Sequence, residues 1–134
     1  IVLGITSNPG ADDFQFIADA NGQRLFEAVI AKCAQWGTAD ELMFVTGATR
    51  PEILRRAREL APGHFFLVPG VGAQGGDLDA VLNAGMTASG GLLINSSRGV
   101  LYAGAGQEAI PMARKAAMQL QRAMEGKMRA RGVI

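Results

Sequence analysis

A chain of 134 residues with 49% hydrophobic content can bury a substantial core and is expected to form one globular domain. Its 13 basic and 12 acidic residues leave a net charge of +1, so there is no broad basic field; that argues against a nucleic-acid surface and makes any anion binding local. Cys33 is the sole cysteine, which excludes an internal disulfide and a cysteine-based metal cluster and fits a reducing cytosol; there is neither a membrane-length apolar run nor a signal-peptide pattern.

The chain opens directly on Ile1-Val2-Leu3-Gly4-Ile5, an apolar run without an initiator Met that reads as a strand and as a start inside a longer protein. Thr6-Ser7-Asn8-Pro9-Gly10 then gives a turn signal. Asp12 and Asp13 lie side by side before a helix and read as solvated or capping acids, not as an acid-base pair. Leu25, Phe26, Val29, Ile30 and Cys33 recur at helical spacing, predicting a helix from about Gln23 to Trp36 that stops at Gly37. Cys33 shares that apolar stripe, so it reads as packing and not as a nucleophile.

A second strand is expected at Leu42 to Val45, followed by a helix that begins at Thr49 in a Thr-x-x-Glu capping box with Glu52. Ile53, Leu54, Ala57 and Leu60 form its stripe, and Pro62-Gly63 ends it. His64 has no evident serine, cysteine or metal-binding partner and reads as a boundary or surface residue. Phe65 to Val68 gives the third strand, after which Asp77 can cap a short helix through Leu78, Val81 and Leu82 to Gly85. Leu92 to Ile94 is the fourth strand. Ala113, Ala116, Ala117, Leu120 and Met124 mark a long last helix, whose basic end at Lys127, Arg129 and Arg131 suits a helix C-terminus.

Four β-α units imply a parallel sheet with right-handed crossovers, and the unbroken apolar strands suggest cover on both faces. An open doubly wound domain and half of an eight-stranded barrel both fit. Two glycine-bearing segments, Pro69-Gly70-Val71-Gly72-Ala73-Gln74-Gly75-Gly76 and Asn95-Ser96-Ser97-Arg98-Gly99, follow the last two strands. Glycines let backbone N-H groups approach an anion, and Gln74 and Arg98 add one neutral and one charged donor suited to phosphate oxygens. A phosphate site after the last two strands is a recurrent feature of β/α barrels, which favours the half-barrel.

With Thr6-Ser7-Asn8-Pro9-Gly10, those two segments form three motifs in an order that resembles the C-terminal half of orotidine 5'-phosphate decarboxylase, in the wording of a longer bacterial branch. Other members carry histidine in place of Asn8, or glycine in place of Ser97. The resemblance implies an α/β fold of four consecutive β-α units, the C-terminal half of a TIM (β/α)8 barrel, with residues 1–134 as a single half-barrel and the N-terminal catalytic half outside this chain. It further implies that Gln74 and Arg98 contact the substrate phosphate, with backbone N-H groups near Gly75, Gly76, Ser97 and Arg98 completing the cradle. Ser7 would reach the pyrimidine and Pro69 would pack over it.

The family converts orotidine monophosphate to UMP and carbon dioxide in pyrimidine biosynthesis, in the cytoplasm, without metal or organic cofactor. Its catalytic Asp-x-Lys-x-x-Asp array does not occur in this sequence, so no catalytic residue is assigned here and the chain alone is expected to be inactive. Expected partners are a pyrimidine nucleotide and either the N-terminal half or a second copy that covers the outer strands; the family enzyme is usually a homodimer. A different phosphosugar-binding β/α barrel and a stand-alone phosphate-binding module are the alternative readings.

Overall fold

The computed structural model describes residues 1–72 and 75–134. Four strands, β1 (Val2–Ile5), β2 (Phe44–Thr46), β3 (Phe66–Pro69) and β4 (Leu92–Asn95), pair in parallel in the order β1-β2-β3-β4. Six α-helices accompany them: α1 (Ala11–Phe14), α2 (Leu25–Cys33), α3 (Pro51–Leu60), α4 (Leu78–Gly85), α5 (Ser97–Leu101) and α6 (Ala109–Ala130). Strand order follows chain order without reversal. A doubly wound sheet changes direction at a switch point, whereas a sequential parallel sheet is the arrangement of consecutive barrel strands.

Side chains alternate along each strand, and one face of the sheet carries the core. Phe44, Phe66 and Val68 are fully buried with Phe26 and Ile30 of α2, Leu54 and Ala57 of α3, and Val81 of α4. The opposite face carries a row of aliphatic residues set by the strand register, Leu3 beside Val45, Val45 beside Leu67 and Leu67 beside Leu93. Leu3 and Leu93, at the two ends of that row, are more than half exposed. The expectation of cover on both faces is therefore corrected: within this chain only the helical face is covered, because every crossover passes over the same side.

Local chemistry explains where the helices begin. Asp77 accepts a hydrogen bond from the Ala80 N-H at 3.0 Å, so the expected cap of α4 is in place. The capping box at Thr49 is not. Pro51 takes the first helical position of α3, Arg50 becomes the residue before it, and Glu52 falls one position short of the reach a capping box needs. In α2 the Glu27 carboxylate accepts the Arg24 N-H at 2.9 Å and also binds Arg56 of α3 at 2.6 Å, tying the two helices together.

The end of the sheet where the strands begin is closed by Arg58. Its guanidinium donates to the carbonyls of Gly85 at 2.9 Å, Gly91 at 2.7 Å and His64 at 2.5 Å, and more loosely to those of Ala61 and Pro62. It also lies 4.4 Å from the centre of the Phe66 ring. His64 does sit at the boundary of β3 as expected, but not at the surface: its ring is buried against Phe44, with centroids 5.4 Å apart. Cys33 is buried in the core, as its place on the stripe suggested.

Helix α6 runs for 22 residues without a fully buried side chain. Its C-terminal turns are tied to α4 through Lys127 to Asp79 at 3.0 Å and through Arg131 to the Leu82 carbonyl and Asn83 side chain. The basic end of the chain is thus held by partners within the molecule.

Candidate functional site

Because all four strands run the same way, the loops that follow them gather at one end of the sheet. Ser7 follows β1, Gly47 and Ala48 follow β2, Pro69 ends β3 with Gly70 next, and Ser96 to Arg98 follow β4. The last two loops enclose a cleft of about 290 Å³ lined by Pro69, Gly70, Val71, Asn95, Ser96, Ser97 and Arg98. Of the seven residues expected at the site, Pro69, Ser97 and Arg98 line the cleft, while Ser7 and Gly75 belong to loops at the same end of the sheet without lining it. Gly76 lies beneath them, and Gln74 lies outside the described residues.

The loop after β3 turns through glycines at positive φ, 91° at Gly70 and 77° at Gly72, values that side-chain-bearing residues rarely adopt. Its own hydrogen bonds fix its shape. Gly72 N-H reaches the Gly76 carbonyl at 2.9 Å, Gly75 N-H the Gly72 carbonyl at 2.9 Å, and Gly76 N-H the Gly70 carbonyl at 3.2 Å. The N-H groups of Gly75 and Gly76 are thus engaged inside the loop, so a phosphate could take them only by displacing those bonds.

The other side of the cleft is more open to an anion. Ser97 and Arg98 are the first two residues of α5, where backbone N-H groups have no partner one turn back. Both residues are exposed, and Arg98 forms no salt bridge among the described residues. The Ser96 hydroxyl donates to the Val71 carbonyl at 3.2 Å and joins the two loops, while the Ser97 hydroxyl donates to Asn95 Oδ1 at 3.0 Å. An exposed cation and the first amides of α5 stand at a cleft that also carries Asn95, Ser96 and Gly70. That arrangement can hold a phosphoryl group.

Ser7 sits two loops away, over Gly47. Its loop is anchored on the outer side, where the Thr6 N-H donates to Gln15 Oε1 at 3.0 Å and Arg50 binds Asp12 through two bonds of 2.7 and 3.0 Å. The bond from Arg50 holds the Asp12 carboxyl below its ordinary pKa. Asp12 is therefore an anchor for the loop. Sequence reasoning missed both Arg50 and Gly47; the only trace of them is the string Gly47-Ala48-Thr49-Arg50-Pro51 between a strand and a helix.

Among the described residues no group of three or more His, Cys, Asp or Glu side chains is arranged to hold a metal ion, and no helix is long and apolar enough to cross a membrane. A sequential parallel sheet, helices on one face and a glycine-bearing cleft after its last two strands define the class: a portion of a β/α barrel. No protein-family model matches the chain. Against individual proteins the agreement is long. The chain is 46% identical over 134 residues to orotidine 5'-phosphate decarboxylase of Parabacteroides distasonis and covers 48% of it; it is 44% identical over 130 residues to the Bacteroides fragilis protein of that name, covering 47%.

Solved structures agree. The Leishmania donovani UMP synthase superposes with a TM-score of 0.76 at 37% identity, over 92% of this chain and 27% of that one. The OMP decarboxylase of the same organism gives 0.74 at 34% identity, over 92% of this chain and 47% of the other. Along its whole length the chain is similar to the orotidine 5'-phosphate decarboxylases, and it spans about half the length of the curated relatives it matches.

Proposed function

We propose that this chain is the phosphate- and pyrimidine-binding half of an orotidine 5'-phosphate decarboxylase, a carboxy-lyase that forms UMP and carbon dioxide from orotidine monophosphate. The convergence of the Ser7, Pro69 and Ser97-Arg98 loops at one end of the sheet carries this reading, together with similarity along the whole chain. Arg98 and the first amides of α5 take the phosphate, with Gln74 as a further donor. Gly75 and Gly76 let the loop come close. Ser7 addresses the pyrimidine and Pro69 covers it.

Binding at the phosphate contributes to rate when part of its energy is expressed only in the transition state, at a carbon several bonds away. The groups that act on that carbon lie in the other half of the barrel, which supplies the Asp-x-Lys-x-x-Asp array. That half also covers the aliphatic row from Leu3 to Leu93 and pairs with the outer edges of β1 and β4, where open strand edges otherwise invite association. The chain alone binds nucleotide without decarboxylating it; with the second half it forms a closed barrel in the cytoplasm.

An NMR titration of the chain with UMP, ribose 5-phosphate and inorganic phosphate tests the binding reading. Shifts at Ser7, Gln74 and Arg98 with UMP are expected, and shifts at Gln74 and Arg98 alone with every phosphate would leave a generic phosphate cradle. Mixing with a separately expressed N-terminal half should restore orotidine monophosphate decarboxylation. Turnover by the chain alone would overturn the division of labour.

A further inference from the structure

The four loops at the site end are not independent, and Gly47-Ala48, which opens the loop after β2, lies between the loops that follow β1 and β3. A Cβ built at Gly47 would collide with the Ser7 hydroxyl, and it would also stand 3.0 Å from the Ser7 nitrogen and 3.1 Å from its Cβ. Turning the hydroxyl aside would relieve the worst contact but leave the Ser7 nitrogen and Cβ closer than such atoms usually stand, so Ser7 must give by a few tenths of an ångström. On the other side, Ala48 is almost fully buried, its N-H donates to the Pro69 carbonyl at 3.2 Å, and its methyl packs so close to Gly76 that a Cβ there would stand 2.5 Å from it. From Gly76 the contacts continue through the Gly70 carbonyl, and from Val71 to the Ser96 hydroxyl beside Arg98.

We infer that Gly47-Ala48 is a positioning element that sets the distance between the Ser7 end of the site and the phosphate end, and so selects ligands carrying a base at a fixed reach from the phosphate. The inference rests on the proposed roles of Ser7 and Arg98 for its ligand, but not for its geometry. Gly47 and Ala48 touch no ligand in this account. They act by fixing where Ser7 stands relative to Pro69 and Gly76. A loop with a side chain at position 47 would lift Ser7 away while leaving the contact from Val71 to Ser96 intact, because the two lie on opposite sides of Ala48.

The test uses the full 134-residue chain and its Gly47→Ala variant. In the ligand-free proteins the Ser7 amide resonance should move and those of Ser97 and Arg98 should stay. Affinity for UMP should fall about tenfold, the scale of one lost hydrogen bond, while affinity for inorganic phosphate changes by less than about twofold. Adding Ser7→Gly removes the hydroxyl and Cβ that the new methyl meets and leaves only the close backbone nitrogen, so the double variant should regain part of the stability lost by Gly47→Ala; this keeps the test informative if the single variant folds poorly. An unmoved Ser7 resonance, an equal loss of UMP and phosphate affinity, or no relief in the double variant would overturn the inference. If the parent chain binds phosphate but shows no preference for UMP, the assignment of Ser7 to the base fails, and the ligand-free resonances still decide the geometry.

Discussion

The two ends of the sheet solve opposite problems with the same materials. Where the strands begin, Arg58 donates to carbonyls from the end of α3, the end of α4 and the entries to β3 and β4, and it stacks on Phe66. Burial pulls its pKa down to about 10, yet it stays charged at neutral pH with only carbonyl oxygens around it. Where the strands end, the cation is Arg98, exposed and without a salt bridge among the described residues. One arginine is committed to its own backbone, and the other is exposed, as the phosphate-binding role proposed for it requires. In β/α barrels the end where strands start serves stability and the end where they finish serves function, and the placement of these two arginines follows that division.

The largest way to break this contrast is Arg58→Ala. Several partly buried carbonyls would lose their donor at once, and since an unsatisfied buried group costs about 1–3 kcal/mol, a total loss of about 2–4 kcal/mol is expected after water fills part of the space. Urea unfolding measures it. Arg58→Lys should recover little, because an ammonium cannot reproduce the planar fork that spans Gly85, His64 and Gly91. An Arg58→Ala chain as stable as the parent would mean that this end is not held as described.

Arg98→Ala is the converse experiment. It should leave the unfolding midpoint where it was, because the side chain is exposed and has no salt bridge among the described residues to lose. Affinity for UMP and for inorganic phosphate should both fall about 10- to 100-fold, the scale of a charge-assisted hydrogen bond of about 1.5–3 kcal/mol. Isothermal titration beside the unfolding curve reads both. A loss of stability with unchanged phosphate affinity would reverse the assignment of this arginine.

Much of the scaffold could be read before any coordinates, and the two arginines show where that reading stops. The four strands stand within two residues of their apolar runs, the largest displacement being β2, expected from Leu42 and found from Phe44, since a parallel strand needs a continuous apolar stretch and little else can satisfy one. The Asp77 cap was legible because it needs only an aspartate three positions before the N-H it accepts. The Thr49 cap was misread because Pro51 moves the helix start by one position, a local effect the capping pattern does not encode. Arg58 gave no signal at all: it is one of three arginines in α3, and only the meeting of four chain segments makes it different from Arg55. For the candidate site, Ser97 and Arg98 could be singled out from the glycine-bearing segments, whereas Gly47 could not, because its close approach to Ser7 is a contact with a loop far away in sequence. The engaged N-H groups of Gly75 and Gly76 were equally hidden, since a glycine-rich string does not say where its hydrogen bonds go.

The smallest expected effect separates two ion pairs, one that ties α2 to α3 and one that anchors the loop carrying Ser7. Glu27 is buried, and its bond from Arg56 lowers its pKa from the ordinary 4.5, against the opposing effect of burial, with help from the Arg24 N-H. A carboxyl with a depressed folded pKa contributes stability that is present in full above the unfolded value, here about 4.5, and is lost as pH falls through the folded one. Glu27→Gln should therefore cost about 1–2 kcal/mol at pH 7, and the difference from the parent should shrink steadily as pH drops below about 4.5. Asp12 is shifted the same way by Arg50, but that pair stands exposed at the site end, so salt should screen most of it while leaving the Glu27 pair nearly untouched. Unfolding curves of Glu27→Gln and Asp12→Asn at low and high salt, taken at pH 7 and pH 4, distinguish the two. Equal salt sensitivity would show that the pair joining α2 to α3 is as well solvated as the one beside Ser7, and would remove Glu27 from the set of groups that make the scaffold rigid.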